Sequence, residues 1–507
     1  MIRPSFDVLG EPWIPVVRLD GSADEFGILR CLEQAHNLRE IKDSSPIVEF
    51  GLYRLLVAFV LDALILAHRR PEDHHDLEDL IEEGSFDGEL LAAYVEACGD
   101  VFDLFHPDRP FLQTVMAGNE KKRPVAGVFP AVPSGTNVCH WRHPPEALWD
   151  VSPAEATRLL ATIAPFMTAG GSGLSPSING APAVYILPLG RNVYETVVLN
   201  LPLRADQEAG DGTAAWRSTS VPGRERVEAT TVEALTWRPR RIQLVAEVQE
   251  LGDGLRQVRV RHMRFARGDS TRLTWIDGNL AYRYDHEKVT PVRMRAHRAL
   301  WRDAGPLLFL DDLEHGSGQD RVSFKRPDVV SNAFKIGIDN VLTRIHAYGM
   351  RTDMKMKVFE WTKAVWKVPP SLGRSTRLGA VIFGEMDRAE RAAWALRTSI
   401  RSLYPREGAS SQGAMKSTSE RCERAYWQAL EPRFTSLLNA VAHLDPAAPD
   451  DPDLVAETTR KWREAIRSLA VEQFEWGAKD MDADGDALER MVRARGRLVG
   501  NLRRVLS

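Results

Sequence analysis

The chain has 507 residues, of which 44% are hydrophobic and 27% are charged, a composition typical of soluble globular proteins with two to four domains. Its longest apolar run, residues 55–67, is interrupted by Asp62 and is shorter than the ~20 residues of a membrane-spanning helix, so no membrane association is expected. The four cysteines lie far apart and the first residues lack the apolar core of a signal peptide; we therefore expect a cytoplasmic protein without disulfides or a zinc knuckle.

The net charge of −4 conceals a basic segment. Residues 237–302 carry 15 lysines and arginines against 7 aspartates and glutamates, a net charge of +8, and the rest of the chain sums to −12. A basic segment in an acidic chain is a candidate surface for a polyanion. Solvated arginines on an exposed sheet would explain the same charge, and both interpretations stay open at this point.

The first part of the chain reads as strands followed by helices. Turn formers at Gly10-Glu11-Pro12 divide residues 6–19 into two short predicted strands, and helical periodicity dominates residues 46–105. The region after HPDRPFLQ (residues 106–113), which runs to about residue 145, is poor in periodicity and rich in glycine and proline, and it contains GNEKKRP and PSGTNVCHWRHPP. A loop of this length inside a folded protein is usually functional or disordered.

The middle of the chain is predicted to form strands at residues 183–201 and 232–302. Within the second range, VRVRHMRFARG alternates apolar residues with arginine, which predicts that the arginines share one face of a sheet. Helices return at about residue 331. Four amphipathic segments separated by short polar loops then predict an antiparallel four-helix bundle, at residues 379–404, 415–443, 452–476 and 485–506.

These elements predict an α+β fold. We expect a large mixed α/β domain at residues 1–375 and the four-helix bundle at residues 376–507.

The stretch TAGGSGLSPSINGAP, residues 168–182, combines four glycines with two prolines and small hydroxyl side chains. It lacks the GK[ST] of a phosphate-binding Walker loop, the GxGxxG of a dinucleotide site and the GxSxG of a nucleophile turn. Two interpretations remain: a thin loop whose backbone can approach a ligand closely, or a plain connection.

Metal and cofactor sites are not expected. The segment DMDADGDALERM, from Asp480, imitates the start of an EF-hand loop, but Met491 stands where a bidentate glutamate is required, so an acidic turn before the last helix is favoured. His140 and His143 have no second pair of ligands nearby in the sequence.

Aromatic and basic residues recur together. Arginine binds phosphates in a bidentate manner and aromatic rings stack on bases, although the rings can equally be core anchors with arginine stems packed beside them. The clusters are His140–Arg142, Trp237–Arg241, Tyr282–Tyr284 and Trp301–Arg302.

Seven stretches of the sequence occur in a fixed order and span most of the chain. They are FDVLGEPWIPV near the N-terminus, HPDRPFLQ, SGTN, the glycine-rich stretch continuing into NGAPAVYILPLGRNVYETVVLNL, LTWRPRRIQL, RALWRD and AYGMRTDMK. Together they resemble the CasA family, the large subunit of the type I-E CRISPR surveillance complex Cascade. The resemblance implies a non-catalytic, DNA-reading role: recognition of the protospacer-adjacent motif from the minor groove, separation of the strands beside it, and recruitment of a helicase-nuclease.

The resemblance also implies which residues contact DNA. The family's glycine loop, where side chains would block approach to the minor groove, corresponds to Gly170, Gly171, Gly173, Asn179 and Gly180. Its wedge between the strands corresponds to Thr352, Asp353, Met354 and Lys355, which here replace an Asn-Gln tip. Its minor-groove lysine finger corresponds to Arg283, with Lys288 as the alternative.

The implied partners are guide RNA, the other Cascade subunits, double-stranded target DNA and the helicase-nuclease effector. A loop that docks near the 5′ handle of the guide RNA corresponds to Asn137, His140, Trp141 and Arg142. An assembly scaffold that binds only guide RNA and protein is the alternative function. A nuclease is disfavoured, because two-metal cleavage requires clustered carboxylates and the sequence shows no compact Asp/Glu/His constellation.

Overall fold

The described part of the chain is a mixture of helices and strands, which confirms the predicted α+β class. A computed structural model describes residues 3–118, 120–127, 150–169, 173–180, 183–204, 210–250, 256–272, 275–285, 288–295, 297–315, 322–339, 341–352, 358–404, 409–445, 451–479 and 485–507. No helix among these residues is both long and apolar enough to cross a membrane.

The α-helices are numbered in chain order. They are α1 (Ile28–Glu33), α2 (Pro46–Leu66), α3 (His74–Glu83), α4 (Gly88–Cys98), α5 (Pro153–Ala161), α6 (Ile163–Phe166), α7 (Val193–Leu199), α8 (Thr231–Leu235), α9 (Asp328–Lys335), α10 (Pro370–Arg374), α11 (Thr376–Arg401), α12 (Ala409–Val441), α13 (Pro452–Ala478) and α14 (Gly485–Leu506).

The strands are numbered in the same way. They are β1 (Ile14–Arg18), β2 (Ala23–Phe26), β3 (Leu38–Ile41), β4 (Arg123–Pro124), β5 (Val184–Leu189), β6 (Glu225–Arg226), β7 (Arg240–Glu250), β8 (Arg256–Arg267), β9 (Ser270–Thr271), β10 (Tyr282–Asp285), β11 (Lys288–Pro291), β12 (Asp311–His315), β13 (Val322–Lys325), β14 (Arg344–Thr352) and β15 (Val358–Trp366).

The chain divides into two compact units. The first comprises residues 1–296, 316–322 and 327–365, and the second comprises residues 297–315, 323–326 and 366–507. The boundary expected from the sequence, after residue 375, would assign residues 297–315, 323–326 and 366–375 to the first domain instead. That boundary stays a prediction.

Helix α2 forms the centre of the first unit. Pro46 at its first turn has the fixed φ that a helix start favours, and residues 47–64 are all buried. Helices α4, α5 and α8 and strand β14 contact it. The buried helix predicted from the apolar run at residues 55–67 is therefore confirmed.

The described part of the first unit contains three three-stranded sheets, with the orders β2–β1–β3, β4–β8–β7 and β15–β14–β5. Strands β14 and β5 are antiparallel, with Arg344 opposite Leu189 and Gly349 opposite Val184. The residues that follow β5 form helix α7, so the strand predicted to extend to residue 201 is wrong. Asn192 explains the difference, because its side chain accepts a hydrogen bond from the backbone N–H of Glu195 at 2.9 Å and starts a helix despite the β-branched residues.

Strands β7 and β8 form a long antiparallel ladder with a β-bulge between Val245 and Ala246. Strict alternation along β8 would place Val260 and Met263 on opposite faces, yet both are fully buried. The bulge supplies the extra residue that brings both side chains to the core.

The second unit contains the four long helices α11–α14, whose positions agree with the four predicted segments. Helix α11 contacts each of the other three, and α13 also contacts α12 and α14. The packing is close at Gly477, where an added Cβ would lie 2.7 Å from the Cys422 sulfur and 2.8 Å from Ile400 Cδ1. A glycine at this position allows the helices to approach.

Candidate nucleic-acid interface

The structure describes part of the predicted site. Gly173, Asn179, Gly180, Arg283, Lys288 and Thr352 are among the described residues. The other predicted residues lie outside them: Gly170, Gly171, Asp353, Met354, Lys355, Asn137, His140, Trp141 and Arg142.

The C-terminal arm of the glycine-rich loop ends in a tight turn. The backbone N–H of Gly180 donates to the Ser177 carbonyl at 2.9 Å, and the Ser177 hydroxyl donates to the Gly180 carbonyl at 3.1 Å. Gly173 and Gly180 have φ angles of +79° and +80°, which L-residues with a side chain rarely adopt. The guanidinium of Arg293 lies 3.5 Å from the position that a Cβ of Gly180 would occupy. Both glycines are therefore required by backbone conformation.

Asn179 joins this arm to the core. Its side-chain amide donates to Asp277 Oδ2 at 3.0 Å, and Arg54 of α2 forms an ion pair with the same carboxylate at 2.8 Å. Both ion-pair side chains are 2% exposed. Burial alone would lower the pKa of Arg54, but the charge and hydrogen bond of Asp277, together with the nearby Tyr185 and Tyr282, outweigh burial and the pKa is raised. The backbone N–H of Asp277 donates to the Tyr282 hydroxyl at 2.7 Å, so the same residue also supports β10.

Arg240, the first residue of β7, contacts the loop on both sides of its glycines. One guanidinium nitrogen donates to the Thr168 carbonyl at 2.7 Å and the other donates to the Ser175 carbonyl. The side chain is buried, and burial lowers its pKa to about 10. Arg240 thereby joins the segment that ends at residue 169 to the segment that begins at residue 173.

The two candidates for the basic finger lie on one hairpin. Strands β10 and β11 pair with Arg283 opposite Thr290 and Asp285 opposite Lys288, which places Arg283, Asp285 and Lys288 on the same face. Arg283 is 45% exposed and donates to Asp285 at 3.2 Å. An exposed pair of this kind is weak, so Arg283 can exchange its partner for a phosphate at small cost.

Thr352, the first residue of the predicted wedge, is the last residue of β14. Side chains of α2, β14 and β15 fix the base of the hairpin that these two strands form. Glu49 of α2 accepts hydrogen bonds from the Tyr348 hydroxyl at 2.6 Å and from the Lys363 ammonium. His346 Nδ1 lies 3.0 Å from the Tyr348 hydroxyl. Burial raises the pKa of Glu49, but hydrogen bonds from His346, Lys363 and Tyr348 outweigh this and lower it. The carboxylate therefore stays charged inside the core.

These segments meet at the N-terminal end of β5. The glycine-rich stretch leads directly into β5, whose Val184 lies opposite Gly349 of the β14–β15 hairpin, called the wedge hairpin from here on. On the other side, the backbone N–H of Val184 donates to the Val292 carbonyl at 3.1 Å, and Val292 in turn donates to Ala281 at 2.8 Å. The glycine-rich loop, the β10–β11 hairpin and the wedge hairpin therefore converge on the N-terminal end of β5. The β10–β11 hairpin is called the basic hairpin from here on.

The arginines of β8 are less available than the sequence indicates. Arg259 and Arg261 both pair with Asp150, at 2.5 Å and 3.4 Å, and Arg256 pairs with Glu250 at 3.1 Å. The hydrogen bonds from Arg259 and Arg261 lower the pKa of Asp150. Within the described part of the chain, the carboxylates of Asp150 and Glu250 thus offset two of the positive charges on this strand.

The sequence analysis did not single out Glu49, Asp277 or Arg293. Glu49 and Arg54 do leave a signal, since charged residues inside an apolar helix must find buried partners. Their partners Asp277 and Lys363 are more than 200 residues away and cannot be inferred from spacing. Among the described residues, no group of three or more His, Cys, Asp or Glu side chains is placed to hold a metal ion.

Comparison with known proteins identifies one family. The chain matches the family described as CRISPR-associated protein Cse1 over residues 7–473. The CRISPR-associated protein CasA/Cse1 of Thermus thermophilus is 28% identical over 544 aligned residues, which cover 98% of this chain and 98% of that protein.

Solved structures share the fold. The crystal structure of CasA from Thermus thermophilus matches with a TM-score of 0.77 at 23% identity and covers 98% of this chain and 100% of its own. A chain of a CRISPR RNA-guided surveillance complex matches with a TM-score of 0.73 at 21% identity, covering 98% of this chain and 100% of its own.

Proposed function

Because the chain belongs to the CRISPR-associated protein Cse1 family, we propose that it is the non-catalytic large subunit of a type I-E Cascade complex that reads the protospacer-adjacent motif in duplex DNA. Its partners would be guide RNA, the other Cascade subunits and a helicase-nuclease that it helps to recruit. The similarity to a chain of an RNA-guided surveillance complex supports the assembly part of this proposal.

The observation that carries the DNA-reading part is the convergence at β5. A loop of glycines, an exposed basic hairpin and the base of a second hairpin lie at one end of one strand. Recognition from the minor groove requires a thin backbone that can approach the base edges, cations beside the phosphates, and an element that separates the strands. The three segments supply one requirement each.

We assign the roles by segment. Gly170, Gly171 and Gly173 would approach the minor groove, and Arg283 or Lys288 would bind in or beside it. Residues 352–355 would enter between the strands. The loop with Asn137, His140, Trp141 and Arg142 would dock on the guide RNA and the neighbouring subunit. Asn179 and Gly180 would support the loop, because the Asn179 amide is bonded to Asp277.

The ion pairs of β8 favour a second candidate, the assembly scaffold. Arg259 and Arg261 share the single carboxylate of Asp150, and Arg256 pairs with Glu250, so the basic segment carries less free charge than its composition indicates. A scaffold would bind guide RNA and protein without distinguishing one DNA duplex from another.

Gel-shift titration of the complex, assembled with and without this chain, tests the choice. The duplexes carry one target sequence and vary only in the base pairs beside it. We expect the complete complex to prefer some of these duplexes and the complex lacking the chain to bind all of them equally. Equal binding of all the duplexes by the complete complex would contradict the DNA-reading function and support the assembly scaffold.

A variant of the loop sharpens this experiment. Gly171→Asp adds bulk and negative charge where phosphates would approach, so we expect it to reduce preference for the motif while the chain still assembles. Gly88→Asp is the matched control, because it adds the same charge at the start of α4, where an added Cβ meets no atom within 4 Å.

A further inference from the structure

Arg240 is a buried cation whose hydrogen bonds to the described residues go to backbone carbonyls. Its side chain is 3% exposed, and within the described part of the chain no carboxylate forms an ion pair with it. A guanidinium that leaves water without a counter-ion loses more solvation than an apolar residue of similar size would. The carbonyls that accept from Arg240 must therefore offset this loss, which makes their identity informative.

Two of these carbonyls belong to opposite arms of the glycine-rich loop. Thr168 precedes Gly170 and Ser175 follows Gly173, and each accepts from a different nitrogen of Arg240. Beside this contact, the backbone N–H of Ser177 donates to the Met167 carbonyl at 2.8 Å. The base of the loop is thus closed by one guanidinium and one backbone hydrogen bond.

We propose that Arg240 is a positioning residue for reading the motif: it fixes the separation and orientation of the two arms, and so determines how the loop between them meets DNA. The inference rests on the proposed DNA-reading function and deepens it. Arg240 itself is buried and does not touch the nucleic acid. Its effect on recognition passes through the backbone of Thr168 and Ser175.

Arginine is required for this role by its geometry. The planar guanidinium presents donors in a rigid fork that can bridge two acceptors, whereas the lysine ammonium is a single point with flexible reach. Arg240→Lys therefore preserves the charge and releases one arm. A substitution that retains the charge separates loop geometry from any general attraction of DNA to a basic protein.

Arg241 provides the matched control. It is the next residue on β7, so its side chain points to the other face, where its Nε donates to the Arg267 carbonyl at 3.1 Å. Arg241→Lys makes the same chemical change one residue away without touching the loop.

The experiment measures two quantities for the wild type, Arg240→Lys and Arg241→Lys. In the assembled complex, gel shifts give the ratio of affinities for the preferred duplex and for a duplex altered beside the target, at several salt concentrations. In the free chain, amide hydrogen exchange followed by mass spectrometry reports on peptides that cover residues 167–180.

For Arg240→Lys we expect the affinity ratio to fall about tenfold, as for loss of one charge-assisted hydrogen bond, while affinity for the altered duplex and its salt dependence stay as in the wild type. We also expect faster exchange in the loop peptides. Arg241→Lys should change neither quantity. If Arg240→Lys assembles poorly, Arg240→Gln, whose amide can still donate to one carbonyl, takes its place, and Arg241→Gln, which removes the same charge, becomes its control.

Two outcomes overturn the inference in distinguishable ways. In the first outcome, amide exchange in the loop peptides rises in Arg240→Lys, yet the variant and the wild type show the same ratio of affinities for the two duplexes. Recognition then does not require fixed arms, and only the role of Arg240 is lost. If the wild-type complex does not discriminate at all, the proposed function fails, and the role of Arg240 in reading fails with it.

Discussion

At the scale of single residues, Asp277 joins α2 to the glycine-rich loop, although no sequence pattern predicts it for the site. Its carboxylate accepts from Arg54, from the Asn179 amide and from the backbone N–H of Asn279 at 3.0 Å. Removing one partner of a buried ion pair leaves the other charge without solvent or counter-ion. A sequence in which aspartates are common gives no sign that this one is buried.

Asp277→Asn keeps the shape of the side chain and removes its charge. We expect a loss of about 3–5 kcal/mol in the free energy of unfolding, because Arg54 is left as an unpaired buried cation. Urea unfolding of the free chain, followed by tryptophan fluorescence, measures the loss.

The control is Asp285→Asn, which removes the partner of Arg283 on the exposed hairpin. Its side chain is 44% exposed, so we expect a loss below about 1 kcal/mol. Equal losses for the two variants would mean that the buried pair does not hold the loop and β10 together.

At the scale of elements, the accuracy of prediction depended on length. The four C-terminal helices were predicted within a few residues, with the largest difference at the start of α12, because each carries many turns of the same pattern. Helix α7 was predicted as a strand, since it has only seven residues and one capping side chain determined its conformation. The convergence at β5 could not be predicted, because it depends on the pairing of β5 with a strand more than 150 residues away.

The wedge hairpin offers an element-scale prediction about pH. Burial lowers the pKa of His346 from its usual 6.5, against the opposing effect of Glu49, and Lys363 and Arg344 lower it further. The unfolded chain then binds more protons than the folded chain as pH falls below 6.5, so the folded state loses stability in that range. The lowered pKa of Glu49 adds to this loss only below its usual 4.5.

We therefore expect His346→Asn to reduce the decline in melting temperature between pH 6.5 and about pH 5. Differential scanning calorimetry at a series of pH values measures the decline. His443→Asn, on an exposed side chain, should leave it unchanged. An identical decline in the wild type and in His346→Asn would show that another group takes up the proton.

At the scale of the whole molecule, the proposed function requires work on DNA as well as recognition. Separating base pairs beside the motif costs a few kcal/mol per step, and an inserted side chain can offset part of this cost. Met354 is unbranched and polarizable, which suits an irregular gap between bases, and Lys355 could bind a phosphate at the same time.

We expect Met354→Gly with Lys355→Gly to leave binding to pre-melted targets unchanged and to slow the opening of fully paired targets by the complex. Permanganate footprinting of thymines beside the motif measures the opening. Lys42→Gly, which removes a positive charge from an exposed position next to β3, is the control. Equal thymine reactivity with the wild-type and double-variant complexes would exclude this segment as the wedge.

Helix α2 carries three buried charges, and each is joined to a distant part of the chain. Glu49 holds the β14–β15 hairpin, Arg54 pairs with Asp277, and Asp62 pairs with Arg217 at 3.0 Å. No one of these parts can detach while α2 stays in place without exposing an uncompensated charge to the apolar core. The described strands around β5 are therefore anchored to α2 by buried ion pairs and hydrogen bonds. A searching complex would bring the same anchored strands to each duplex it meets.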